Sequence, residues 1–152
     1  MWNANFKNVP TVVCVLCHVP MRGTKGGLVL IKRAQSPRAG LWALPGGYHE
    51  HNHHETWQEA GCRELREEIG IVTTPSMMKQ YGEVVTDEYE NNVIFGYIKL
   101  PYHPVFHINE REVRDVTIVT IPNNKYCMRA TQAFPLHHRV IHKFFRDGSK
   151  GV

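Results

Sequence analysis

A single α/β (α+β) domain, with helices sandwiching a mixed β-sheet, is predicted by three features of this chain. It has 152 residues, about one domain's length, and 42% of them are apolar, enough to build a core. Runs rich in β-branched residues at about 11–19, 27–34, 82–88, 93–99 and 115–121 read as strands. Two segments with helical periodicity, about 56–69 and 131–146, fall between and after them, an order that suits a sheet covered by helices on its faces.

The elements follow from local chemistry. In the first strand Cys14 and Cys17 form a Cys-x-x-Cys pair, but an odd offset sends the two side chains to opposite faces of a sheet. They are expected to pack as small apolar residues, not to ligate zinc. Residues 21–27 include the adjacent glycines Gly26 and Gly27 and read as a hairpin loop. Trp42, Ala43, Leu44, Pro45, Gly46 and Gly47 read as a strand end followed by a tight turn, where glycine lets the backbone approach a ligand or metal closely. Thr56 is a predicted N-cap because Glu59 stands in the capping-box position, and Gly70 is the predicted C-terminal stop. Residues 102–109 read as a polar surface loop, and 147–152 as a frayed tail.

Lys and Arg number 18 against 14 Asp and Glu, a formal charge of +4 spread along the chain, which argues against a nucleic-acid-binding arm. The apolar runs fall short of the roughly 20 residues that a membrane span needs, and residues 1–10 lack a signal peptide's basic-then-apolar order. Four cysteines are too few for a disulfide scaffold. A cytoplasmic chain with reduced thiols is therefore expected.

The chemistry is expected in Arg63-Glu64-Leu65-Arg66-Glu67-Glu68-Ile69-Gly70-Ile71. On a helix, Glu64, Glu67 and Glu68 stand at i, i+3 and i+4 and share a face, while Cys62, Leu65 and Ile69 lie about 100° round on a face suited to burial. The like charges repel, and a hard divalent cation such as Mg²⁺ would relieve them, taking carboxylate oxygens along with water and substrate phosphates. Taken alone, the same residues also describe a solvated acidic face, with Arg63 and Glu67 as an ordinary i,i+4 pair.

The turn Leu44-Pro45-Gly46-Gly47, followed by Glu50, Glu55, Ala60 and Arg63-Glu64-Leu65-x-Glu67-Glu68-x-Gly70-Ile71, resembles the signature of the Nudix (MutT-type) hydrolases. The resemblance implies a loop–helix–loop that holds Mg²⁺ or Mn²⁺ on a diphosphate while water attacks phosphorus. It assigns Glu67, Glu68 and the Gly46 carbonyl as metal ligands, and Glu64 as an acid that holds a metal-bound water or acts as general base. Arg63 then orients the carboxylates, and Glu55 is the acid at the start of the helix. The metal would neutralise phosphate oxygens and acidify water, so that a poised carboxylate can take its proton. One departure is visible: Tyr48 to His54 puts seven residues between Gly47 and Glu55, two more than the usual box, so a bulged loop is expected just ahead of Glu55. That loop carries His49, His51, His53 and His54, whose side chains are expected to diverge rather than form a zinc site. Family members often add an acid from a distal loop; Glu110 and Glu112 are the candidates here, with Glu112 preferred because it shortly precedes the strand at 116–121.

For substrate binding, Arg33 and Arg38 are candidates for phosphate oxygens, since a planar guanidinium suits them. Trp42, Tyr48 and Tyr89 could each stack on a base or pack in the core. Lys32-Arg33, Pro37-x-x-Gly40-Leu41-Trp42 and the segment from Ala133 to His138 resemble Nudix enzymes that cleave ADP-ribose and related dinucleotides. The resemblance thus implies a nucleoside diphosphate-type small molecule as partner, no nucleic acid, no membrane and a possible homodimer. A nucleoside triphosphate pyrophosphohydrolase and a non-catalytic nucleotide sensor are the alternatives, and the intact Glu64, Glu67 and Glu68 favour an enzyme over a sensor.

Overall fold

The computed structural model describes residues 9–50, 53–120 and 133–147. Its centre is an eight-stranded mixed sheet. The strands are β1 (Thr11–Val19), β2 (Gly27–Arg33), β3 (Trp42–Ala43), β4 (Gly46–Tyr48), β5 (Lys79–Gln80), β6 (Val85–Thr86), β7 (Asn92–Lys99) and β8 (Val113–Val119). Helix α1 (Trp57–Ile69) follows β4, and helix α2 (Pro135–Asp147) follows β8. β1 and β7 run parallel from Thr11 opposite Asn92 to His18 opposite Lys99, and the remaining pairings are antiparallel.

The β1–β2 hairpin does not stay closed. The strands pair at His18–Leu28 and Val19–Gly27 and then diverge. β3 pairs with β2 at Ile31 and Lys32, while β4 pairs with β1 at Val12 to Cys14, so the chain from Trp42 to Tyr48 crosses the gap between them. The Pro45 carbonyl in this crossing accepts a hydrogen bond from Val15 N at 2.8 Å. The gap that opens between these two strands is thereby filled by the glycine turn, close beneath α1.

Strand alternation divides the core into two layers. Val15, Cys17, Val19, Val29 and Ile31 pack with Cys62, Leu65 and Ile69 of α1 on one face. Cys14, Leu16, Leu28, Leu30 and Phe95 pack with Ile141 and Phe144 of α2 on the other. Cys14 and Cys17 thus lie on opposite faces, as their odd spacing requires, and both are buried free thiols.

The predicted caps of α1 form. Thr56 Oγ1 accepts from Glu59 N at 3.1 Å, and Glu59 reaches back to Thr56 N. Gly70 closes the helix at φ 72°, in the left-handed region, and donates to Arg66 O. α2 opens on Pro135, whose fixed φ and missing N–H suit a first helical position.

Several bounds differ from the periodicity. The run at 82–88 contributes only Val85 and Thr86, because Gly82 bends the chain ahead of them and Asp87 takes N–H groups of Tyr89 and Asn91 into a turn after them. The expected start of α2 at 131–132, the end of β8 at 121, the segment 1–8, His51 and tail residues 148–152 lie outside the described residues; Asp147, expected in the tail, is the last residue of α2. The segment 102–109 is irregular as expected, but it is bolted to α1: His107 N donates to Ile69 O and Asn109 N to Glu68 O, satisfying carbonyls that the helix end leaves open. No helix among the described residues is long and apolar enough to cross a membrane.

Candidate active site

The Leu44–Gly47 turn is pinned on three sides. Leu44 N donates to His137 Nδ1 at 3.1 Å, Val15 N holds Pro45 O, and Gly46 N donates to Glu68 Oε1 at 2.8 Å. A Cβ at Gly46 would overlap the Val13 carbonyl, and one at Gly47 would overlap the Glu64 carboxylate. The two glycines are therefore required by close approach, of backbone to β1 and of acid to turn.

The acidic face of α1 lies against this turn rather than in solvent. Glu64 and Glu68 are buried at 8% and 5% exposure, and of the three only Glu67 is exposed. Of the solvated face that these residues describe taken alone, only Glu67 remains, and the reason is tertiary: the β3–β4 crossing covers the side that carries Glu64 and Glu68. Burial, opposed by Arg63, pushes Glu64 up to about 7, with Glu67 and Glu112 adding like charge. Burial, followed by the charge of Glu64, holds Glu68 well above the usual carboxylate range.

Arg63 ties the acids together. Its Nε and Nη2 grip Glu55 at 3.1 and 2.8 Å, Nη2 also reaches Tyr48 O at 3.0 Å, and Nη1 donates to Glu64 at 2.9 Å and Glu67 at 3.2 Å. All five guanidinium N–H groups thus have acceptors. The Arg63 bonds hold the Glu55 carboxyl below its ordinary value. Glu55 also accepts from Glu50 N at 2.8 Å, so this acid closes the lengthened loop while anchoring Arg63.

Glu112 is delivered to the same place by the loop bonded to α1. Asn109 O accepts from Glu112 N at 3.0 Å and Val113 N at 2.9 Å, while Asn109 N is held by Glu68 O. Glu112 Oε2 is buried without a hydrogen-bond partner, and its charge is felt by Glu64 and Glu68. Glu110, the other candidate, is exposed. Buried oxygen donors, mutual repulsion and an orphaned carboxylate oxygen fit a hard divalent cation. Among the described residues no three His, Cys, Asp or Glu side chains are gathered into a closed ligand set, these carboxylates included, and Arg63 engages Glu64 and Glu67 instead. His49 Nε2 donates to Glu55 O, His53 pairs with Glu50 and His54 is exposed, so the described histidines of the loop do not converge either.

A cavity of about 890 Å³ opens from these groups. Gly46, Gly47, Tyr48, Arg63, Glu64, Glu67, Glu68 and Glu112 line its acidic end, and Arg33, Asp87, Glu88, Tyr89, Phe134, Leu136, His137 and Arg139 are among the residues along the rest. Arg33 lies over the Phe134 ring at 5.2 Å, and Tyr89 meets that ring edge-on at 6.2 Å. Two expected substrate residues fall elsewhere. Trp42 packs on the α2-side core beneath Lys32, and Arg38 sits at the rim, bonded to Glu88 and Tyr89. Trp42 stands opposite Lys32 in the β2–β3 ladder and lays its apolar ring, partly buried, on that core. His137, Phe134 and Arg139 had no role assigned from sequence. The spacing of His137, Ile141 and Phe144 on one buried stripe was the available sign for His137.

The class is defined by the mixed sheet between helices and the glycine turn held against a three-glutamate helix. The NUDIX domain model matches residues 10–144, and the chain belongs to the Nudix family. An ADP-ribose pyrophosphatase of Methanocaldococcus jannaschii is 36% identical over 81 residues, 47% of each chain, so the match spans about half that relative's length. The NUDIX domain of Shewanella oneidensis NrtR, solved with ADP ribose, has TM-score 0.73 at 20% identity, covering 93% of this chain and 90% of that one. A bifunctional NMN adenylyltransferase/ADP ribose pyrophosphatase from Francisella tularensis, solved with AMP and a Mn ion, has TM-score 0.70 at 22% identity, covering 95% of this chain and 43% of that one. At these identities the structural matches establish the shared fold.

Proposed function

We propose that this protein hydrolyses the diphosphate linkage of ADP-ribose or a related dinucleotide with the aid of Mg²⁺ or Mn²⁺. The observation that carries this reading is the burial of Glu64 and Glu68 against the Gly46–Gly47 turn, with the half-buried Glu112 lining the same end of a cavity that has Arg33 and aromatic rings along its walls. Its volume, about 890 Å³, lies near the upper end for ligand sites and suits a dinucleotide. The name of the archaeal relative and the ligands of the two structural neighbours support the substrate class.

Glu67, Glu68, Glu64 and the Gly46 carbonyl would hold the cation, with Glu112 beside them. When bound, it supplies neutralisation of the phosphate oxygens and acidification of water. Glu64 takes the proton of the attacking water, whose oxygen bonds to phosphorus as the bridging P–O bond breaks, leaving two phosphomonoesters. Arg63 fixes the bearing of Glu64, and Arg33 meets phosphate oxygens. Tyr48, exposed at the cavity mouth, would cover the sugar or base.

The test is a product-resolved screen of ADP-ribose, NADH, dinucleoside polyphosphates and nucleoside triphosphates with each cation. AMP and ribose 5-phosphate from ADP-ribose are expected. Glu68→Gln should remove cation-dependent turnover while the circular dichroism spectrum is retained, and Glu64→Gln should lower kcat more than it raises KM. A folded wild-type protein that leaves every diphosphate intact would overturn the reading.

A further inference from the structure

We infer that His137 is a positioning residue for this site: its Nδ1 holds the Leu44 N–H and thereby fixes the glycine turn that faces the carboxylates. The inference rests on the function proposed above. His137 is 7% exposed and Leu44 2%, so water is in no position to replace their bond. Nδ1 accepts from Leu44 N at 3.1 Å, which leaves the proton on Nε2, directed at Cys14 Sγ at 3.3 Å. The Phe134 ring at 4.9 Å and the Phe95 ring at 6.1 Å clamp the imidazole plane. A second tie lies nearby, where Ala133 N donates to Trp42 O at 2.7 Å.

The effect on the site is geometric. Two residues beyond Leu44, Gly46 N binds Glu68, and the next residue, Gly47, leaves no room beside Glu64. A displaced Leu44 would carry both contacts with it. Phe134, just before α2, and Leu136 and Arg139 of α2 line the cavity, so an occupant pressing on this segment acts on the turn through the imidazole. Burial keeps that imidazole neutral, its pKa pushed down to about 3, which preserves the acceptor at Nδ1.

The two nitrogens can be tested separately, because an Asn side-chain oxygen falls near Nδ1 and a Gln amide falls near Nε2. His137→Asn should restore the acceptor and keep kcat within about threefold of wild type. His137→Gln and His137→Ala should lose roughly tenfold to a hundredfold in kcat with little change in KM, measured well below their unfolding temperatures. Two substrate-free readouts accompany the kinetics. Imidazole ¹⁵N shifts of wild type should place the proton on Nε2, and Leu44 amide exchange should be faster in His137→Gln but near wild type in His137→Asn. Gln rescuing as well as Asn, unchanged Leu44 exchange, or a proton on Nδ1 would each overturn the inference. Should His137→Ala fail to fold, the wild-type tautomer and the Asn–Gln comparison still decide. A wild-type protein with the expected tautomer and exchange that cleaves no diphosphate would overturn the proposed function, and with it the catalytic use of a link that the exchange data support.

Discussion

Arg63 is planar, five-pronged and fully engaged, so its role is not that of a generic positive charge. Lysine has three donors around one point and cannot grip Glu55 with two while reaching Glu64, Glu67 and Tyr48 O. Arg63→Lys should therefore cost at least about 1.4 kcal/mol of transition-state stabilisation, a tenfold fall in kcat/KM, checked by steady-state kinetics beside a thermal melt. Gly47 is the other sensitive residue. A methyl group there occupies the space of the Glu64 carboxylate, so Gly47→Ala should displace that acid and lower kcat by about an order of magnitude or more. Cation affinity, read by calorimetric titration, should fall in the same variant.

At the scale of elements, α1 combines two kinds of burial. Leu65 and Ile69 are buried by an apolar core, and Glu64 and Glu68 by the turn across the sheet gap. The second kind opposes folding, since buried acids repel, and the helix tolerates it because its ends and apolar face are well secured. Thr56→Ala removes the side-chain acceptor for Glu59 N and should lower stability by about 1 kcal/mol, seen as an earlier urea midpoint with an unchanged m-value. Because Thr56 follows Glu55 directly, the same variant tests whether a loosened first turn also loosens the grip on Arg63. A fall in kcat beside the stability loss is the expected result.

For the whole molecule, pH acts through groups of opposite sign. His137 has a folded pKa of about 3 against 6.5 for the free side chain, lowered first by burial and then by Arg33, with Asp87 opposing. The folded state therefore binds fewer protons than the unfolded one between those values. The His137 contribution to stability is complete above about pH 6.5 and is lost as pH falls toward 3, with a slope of up to ~1.4 kcal/mol per pH unit. Glu64 and Glu68 act the other way: their raised folded values favour the fold at lower pH and penalise it as they ionise. The clean measurement is a difference. Urea midpoints of wild type and His137→Asn, compared from pH 4 to 7, should diverge in slope by the imidazole's proton uptake.

The local chemistry of this chain was legible from sequence because it is written in neighbours. Thr56 with Glu59, Gly70 after Ile69, the alternation of Cys14 and Cys17, and the i, i+3, i+4 carboxylates each depend on spacing along one element. Glu64, Glu67 and Glu68 were named on that basis, Arg63, Gly46 and Glu112 from the resemblance to the Nudix signature, and Arg33 and Tyr48 from side-chain chemistry; all of them line one cavity. Packing decided the rest. Whether an acidic face meets water or a glycine turn depends on β1 and β2 parting to admit β3 and β4, which no local pattern encodes. The same holds for Trp42, drawn onto the core, for Arg38, held at the rim, and for His137, which reaches Leu44 from 93 residues away. Spacing on one element sets which side chains share a face; only long-range contact sets what that face touches, and burial, charge and hydrogen bonding at the site follow from the second.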